Sequence, residues 1–155
     1  MDIPTIRGVS AAVGHDQGER VTVNVFNLVG AEIAAGSPVC FSVTASDGVS
    51  VVLPATGTDQ SNFTMLAGVA ENAIGTAEYG KVVSKGVVSA RVYGKDARIV
   101  PGSQLALAAT RDYLIYGTAG QINGEVTYQQ RVAFTALETA TTANTASRTI
   151  HINAV

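Results

Sequence analysis

The sequence predicts an all-β fold, a sandwich or barrel-like single domain carrying an N-terminal arm. Three observations predict it. Apolar side chains recur at every second position over short stretches, the spacing of a strand with one covered face. Turn residues punctuate those stretches every ~8–12 residues, the rhythm of a sandwich or barrel. No stretch carries the i, i+3, i+4 apolar stripe of a long amphipathic helix. At 155 residues one domain is expected, large enough to bury about 70% of the surface its unfolded chain exposes.

Residues 1–20 show little periodicity. Pro4, Gly8, Gly14 and Gly18 interrupt them and His15-Asp16-Gln17 is polar, so they read as an arm or long loop with at most a short strand at 9–13. The domain proper then runs over 21–155. Residues 20–28 form the first strand, with Val21, Val23 and Val25 on one face and Thr22, Asn24 and Phe26 on the other. Residues 30–36 turn the chain, and Pro38 opens the next strand, a position where proline is tolerated. There Val39, Phe41 and Val43 alternate with Cys40, Ser42 and Thr44, so Cys40 is expected to be a half-buried, inert thiol. Asp47-Gly48 is a strong hairpin signal, with 49–53 as the return strand. Residues 54–62 form a polar loop and 63–68 another strand.

The middle of the chain reads as a short helical segment over 70–77, with Glu71 at its favourable N-terminal end, and a turn bracketed by Gly75 and Gly80. Val82-Val83 and Val87-Val88 flank Lys85-Gly86, the pattern of a hairpin. The strand at 87–93 turns Val88, Ala90 and Val92 to the core and Ser89, Arg91 and Tyr93 the other way. Ala97-Arg98-Ile99-Val100-Pro101-Gly102-Ser103 then echoes Ala31-Glu32-Ile33-Ala34-Ala35-Gly36-Ser37. The echo is short enough to be one turn chemistry used twice, with Gly supplying an unusual backbone angle and Ser bonding a neighbouring amide. Strands follow at 105–110 and 113–116, turns at 117–120 and Asn123-Gly124, and a long alternating run at 125–134. Residues 135–147, rich in Thr and Ala, read as a surface loop with a weak helix as the alternative, and 148–155 as a final strand.

Composition bounds the function. Charged residues make up 14% of the chain, against roughly 25% in ordinary soluble domains. That suits a surface partly covered by copies of itself or by a partner, or else a neutral, Thr-rich extracellular β domain. The net charge is −2 with Lys and Arg scattered singly, which argues against nucleic acid as a partner. The lone Cys40 makes no internal disulfide, and no apolar run approaches the ~20 residues that span a bilayer. The N-terminal residues lack the basic and apolar regions of a signal peptide, so synthesis in a cytoplasm without export by the usual route is expected.

The search for catalysis gives no constellation. His15 and His151 lie far apart, with no G-x-S-x-G, no H-E-x-x-H and no phosphate-binding loop spacing, so no catalytic, metal or cofactor-binding residue is assigned and an enzyme is not expected. The residues chosen as contacts to a sister subunit or a partner are Arg91, Tyr93, Arg111, Tyr113 and Tyr116, because Tyr and Arg are enriched where protein surfaces meet.

One resemblance adds to this reading. Ala67-Gly68-Val69-Ala70, Gly80-Lys81-Val82-Val83 and Gly86-Val87-Val88, in that order, resemble the capsid cement (head decoration) proteins of tailed bacteriophages, where a G-V-A step follows a strand and a small-residue segment and a Gly turn lead to a V-x-x-x-G-V hairpin. The Gly-Ser turns at 33–38 and 99–104 and the Ala/Thr/Gly-rich composition are similar to that family too, and the resemblance covers roughly residues 30–116. It implies a tulip-like β fold, a homotrimer on the capsid exterior, the major capsid protein as partner, and a mechanical role without an active site. A carbohydrate- or receptor-binding β module is the alternative from another class, although the chain has no Trp and only 6% aromatic residues. Another virion part, a tail or head-completion protein, is a further one.

Overall fold

The computed structural model describes residues 19–45, 47–54, 65–94, 99–108, 111–117, 121–122, 125–126, 134–140 and 143–154. Among them there is no helix, and the strands are β1 (Val21–Asn27), β2 (Pro38–Phe41), β3 (Ser50–Val52), β4 (Leu66–Ala70), β5 (Tyr79–Tyr93), β6 (Gln104–Leu107), β7 (Leu114–Tyr116), β8 (Gln121–Ile122), β9 (Glu125–Val126), β10 (Phe134–Ala136) and β11 (Thr145–Asn153). The chain is therefore all-β, as the sequence predicts. β8 and β9 pair with each other, and the other strands form one nine-stranded sheet in the order β1-β3-β2-β4-β5-β11-β10-β6-β7.

Two additional pairings, β1 with β5 and β5 with β7, close this sheet on itself twice. The first ring is β1-β3-β2-β4-β5 and the second is β5-β11-β10-β6-β7, with the 15-residue β5 common to both. Most neighbours are antiparallel, whereas β1–β3 and β5–β7 are parallel. Closure gives most strands a neighbour on both sides, which is how antiparallel sheets avoid exposed edges. Each ring surrounds its own core. The first encloses Val25, Ile33, Val39, Val51, Ile74 and Val82, and the second Val92, Ile99, Leu105, Leu114, Phe134, Ile150 and Ile152. Each such side chain contributes about 1.5–3 kcal/mol when fully buried.

Several expectations need correction. Lys85-Gly86 does not turn the chain: β5 runs straight through it. β1 takes the early part of this strand, Tyr79 to Lys85, and β11 takes Lys85 to Tyr93, so a hairpin would forfeit both ladders. Gly86 serves a different purpose. Its φ is +111°, and a Cβ there would stand 3.1 Å from the Arg20 Cα, so glycine lets the start of β1 pass close by. Residues 70–77 are not helical. Ile74 and Ile33 exchange backbone hydrogen bonds (3.0 and 2.9 Å), and Glu71 N–H donates to the Lys81 carbonyl, so tertiary pairing claims the groups a helix would need. Nor is 135–147 a plain surface loop: β10 reaches Ala136, Ala140 bridges to Ile99, and β11 starts at Thr145. Cys40 is fully buried rather than half-buried. The arm at 1–18, residues 63–64 of the fourth expected strand and 127–133 of the long alternating run lie outside the described residues.

The short echo in the sequence extends to both rings of the large sheet. Ile33, Gly36 and Ser37 reappear 66 residues later as Ile99, Gly102 and Ser103. Gly36 N–H donates to the Ala70 carbonyl and Ala70 N–H to that of Ser37 (2.8 and 2.9 Å); Gly102, Ala136 and Ser103 repeat both bonds at 2.8 Å. The Ile33–Ile74 bridge becomes Ile99–Ala140. The β1–β5 register Thr22↔Val83 to Phe26↔Tyr79 becomes the β5–β11 register Ser89↔Thr149 to Tyr93↔Thr145, an advance of 67 residues on one strand and 66 on the other. The two rings are thus successive copies of one structural unit, and β5 serves as the last strand of the first and the first strand of the second.

Candidate functional site

The second half of β5 places Arg91 and Tyr93 on the outer face, opposite the buried Val88, Ala90 and Val92. The parallel pairing Val92↔Leu114 brings the residues preceding β7 alongside. As a result Tyr113 stacks on Tyr93, with ring centroids 5.4 Å apart and planes 28° from parallel. One residue earlier, Asp112 Oδ2 accepts from an Arg91 terminal nitrogen at 3.2 Å. Both side chains are about a third exposed, so the pair adds little stability; it links β5 to the residues that precede β7. Arg111 lies exposed at the margin, its N–H bonded to the Ala108 carbonyl.

Three of the five residues chosen from sequence, Arg91, Tyr93 and Tyr113, therefore come together through these contacts, and Arg111 is exposed two residues before Tyr113. Tyr116 separates from them: it sits across from Leu105 in the β6–β7 ladder and packs against the second core. Sequence reasoning also missed an aromatic pair. Phe26 and Tyr79 meet at 5.1 Å with a 58° tilt, and Tyr79 is 73% exposed. Phe26 is the position in the first unit that corresponds to Tyr93 in the second, so each unit presents an aromatic pair at the end of its leading strand. The available signal was Phe26 itself, the one aromatic residue on the polar Thr22/Asn24 face of its strand.

Other polar side chains among the described residues bond within the fold. Asp47 caps the β2–β3 hairpin, its carboxylate accepting from Val49 N–H (2.9 Å), Ser50 N–H (2.8 Å) and the Ser50 hydroxyl (2.6 Å). The Ser50 hydroxyl and then the two amides hold its pKa well below the usual carboxylate range, at about 2. Glu138 accepts from Thr149 N–H at 2.8 Å, and that bond lowers its pKa. Burial pushes the Cys40 thiol up to about 12, so it stays protonated and unreactive at neutral pH. His151 points outward from β11, and His15 lies outside the described residues. Among the described residues no three His, Cys, Asp or Glu side chains gather as metal ligands.

No protein-family model matches the chain, and no curated protein does either.

Proposed function

We propose that this chain is a structural virion protein, a capsid cement protein that binds the outer surface of a phage head as a homotrimer and stabilises contacts between major capsid protein subunits. The observation that carries the reading is the resemblance of residues 30–116 to that family. Two properties of the chain support it. Only 14% of its residues are charged, which suits a surface covered in an assembly. It also presents two outward-facing aromatic pairs, Phe26–Tyr79 and Tyr93–Tyr113, on two copies of one unit.

The mechanism is mechanical. Expansion of a head and the pressure of packed DNA load the seams between capsid subunits. A cement molecule touching several subunits makes its second and later contacts effectively intramolecular, which raises the combined affinity by about 10²–10⁴ without any single strong contact. In the closed sheet each strand is flanked on both sides, an arrangement suited to bearing that load. The test is co-sedimentation with expanded capsids that lack the protein. Binding that saturates at a fixed number of copies per capsid supports the reading, and a folded chain that stays in the supernatant sinks it.

A further inference from the structure

The repeat shows what one unit needs from the next. In the first unit the turn at 34–37 is covered: Arg91 N–H, from the stretch of β5 that leads the second unit, donates to the Gly36 carbonyl at 2.8 Å. The approach is so close that a Cβ on Gly36 would stand 3.1 Å from Arg91 N and 3.2 Å from its Cγ. Gly36 and Ser37 are buried beneath it. The second unit repeats the turn at 100–103, but among the described residues nothing covers it there. A Cβ on Gly102 would meet nothing within 4 Å, and Val100, Pro101 and Gly102 are exposed. The bare turn is also apolar: Val100 is 50% exposed and the adjoining Leu137 43%, where the covered turn has Ala34 and Glu71.

Among the described residues the complementary half is open as well. In β1, Phe26 N–H and Leu28 N–H donate toward β3 (to Val49 and Val51), while Asn27 N–H points the other way, to Glu78. By the strand's alternation Asn24 N–H faces the β3 side, yet β3 pairs only with Phe26 and Asn27. Among the described residues, then, no strand covers Asn24 on this edge. Asn24 is the position that corresponds to Arg91. The sizes match too: the covered turn sets small Ala34 and Ala35 against the long Arg91, whereas Val100 and Pro101 are larger and Asn24 is shorter.

We propose that copies of this chain join head to tail, the turn at 100–103 of one accepting the open β1 edge around Asn24 of the next, as the turn at 34–37 accepts Arg91 within the chain. Such a contact is heterologous, so each copy uses one face of each kind. It closes into a ring where the rotation per copy allows and extends otherwise, and a ring of three is the closed form that a homotrimer takes. The inference rests on the internal repeat alone and not on capsid binding.

The test is absolute mass by light scattering over a concentration series, on the full chain and two variants. Asn24→Pro removes the N–H at an edge where proline is tolerated. Val100→Glu puts a charge on the exposed turn. Urea midpoints near that of the parent chain establish that both fold. The parent is expected to self-associate and each variant to lose at least tenfold in self-affinity. Mixed one to one, the variants are expected to recover a dimer, because the Asn24→Pro chain keeps its turn and the Val100→Glu chain keeps its edge. Three results overturn the proposal: a parent that stays monomeric at every concentration, folded variants that keep the parent's mass, or a mixture that does not associate. A monomeric parent that still saturates capsids would overturn the head-to-tail contact and the homotrimer, and leave capsid binding itself standing.

Discussion

Asn27 is the buried polar residue whose loss should damage the first ring most. It lies at the end of β1 with 1% of its surface exposed. Its amide nitrogen reaches the carbonyls of Ala31 (2.9 Å), Ile74 (3.0 Å) and Gly75 (3.0 Å), and its Oδ1 accepts from Val29 N–H at 2.7 Å. One side chain thus ties β1 to the two turns that carry Ile33 and Ile74. In Asn27→Ala these bonds vanish, each worth about 0.5–1.5 kcal/mol net. The Ile74 and Gly75 carbonyls keep their bonds from Ile33 and Glu78, and the exposed Ala31 carbonyl can turn to water, so the cost stays below that of four orphaned groups. The expected loss is about 2–4 kcal/mol, which lowers the urea midpoint by roughly 1–2 M for a chain of this size. Asn27→Asp is a sharper version, because it aims a carboxylate at three carbonyl oxygens. Its folded pKa must rise above the unfolded carboxyl value, so the variant is less stable than Asn27→Ala at neutral pH and regains stability as pH falls toward about 4. Urea unfolding at pH 7 and pH 4.5 reads both effects. An Asn27→Ala midpoint within about 0.25 M of the parent, or an Asn27→Asp variant without that pH dependence, would refute the reasoning.

Other perturbations have equally definite outcomes. Gly68 has φ +151° and a Cβ there would fall 2.3 Å from the Val83 carbonyl oxygen, so Gly68→Ala should cost at least about 3 kcal/mol and leave little soluble, folded protein in an expression trial. Asp47 has a depressed folded pKa of about 2, so its stabilisation is present above pH ~4 and fades as pH falls toward 2; Asp47→Asn should flatten that part of the stability–pH curve. The Cys40 thiol should resist a thiol reagent in the native protein and react promptly in denaturant, and rapid native labelling would contradict its burial. Tyr93→Ala with Tyr113→Ala removes a stacked pair worth about 0.5–1.5 kcal/mol beyond its buried area. On the cement reading the double variant should also lose about 30-fold or more in capsid affinity, the effect of an interface anchor worth ~2 kcal/mol; unchanged affinity would move the contact elsewhere.

The local pattern was legible and the closure was not. Alternation marks β1 and the Val88/Ala90/Val92 face because those strands have one buried side, and Asp47-Gly48 marks its hairpin because the turn chemistry is local. Lys85-Gly86 misleads for a reason that lies outside its own stretch. The ladders that keep β5 straight come from β1, some sixty residues earlier, and from β11, some sixty later. Ile33, Ile74 and Ala140 were invisible as core bridges for the same reason, since each partner sits about forty residues away and single bridges leave no periodicity. The repeat shows in sequence mainly where Gly36-Ser37 and Gly102-Ser103 keep the same turn; elsewhere different apolar residues fill equivalent places. At the candidate interface, Tyr93 and Arg91 were legible from residue type and strand face, whereas their meeting with Asp112 and Tyr113 depends on the parallel β5–β7 pairing.

Capsid binding is the most direct test of the central claim. Purified chain is titrated onto expanded heads stripped of it, and the pelleted copies are counted per head as the free concentration rises. The account predicts a plateau at a fixed ratio, with the bound heads surviving heat or osmotic stress that ruptures bare ones. A folded chain that never pellets above background, or that pellets without saturating and leaves the heads as fragile as before, would contradict it.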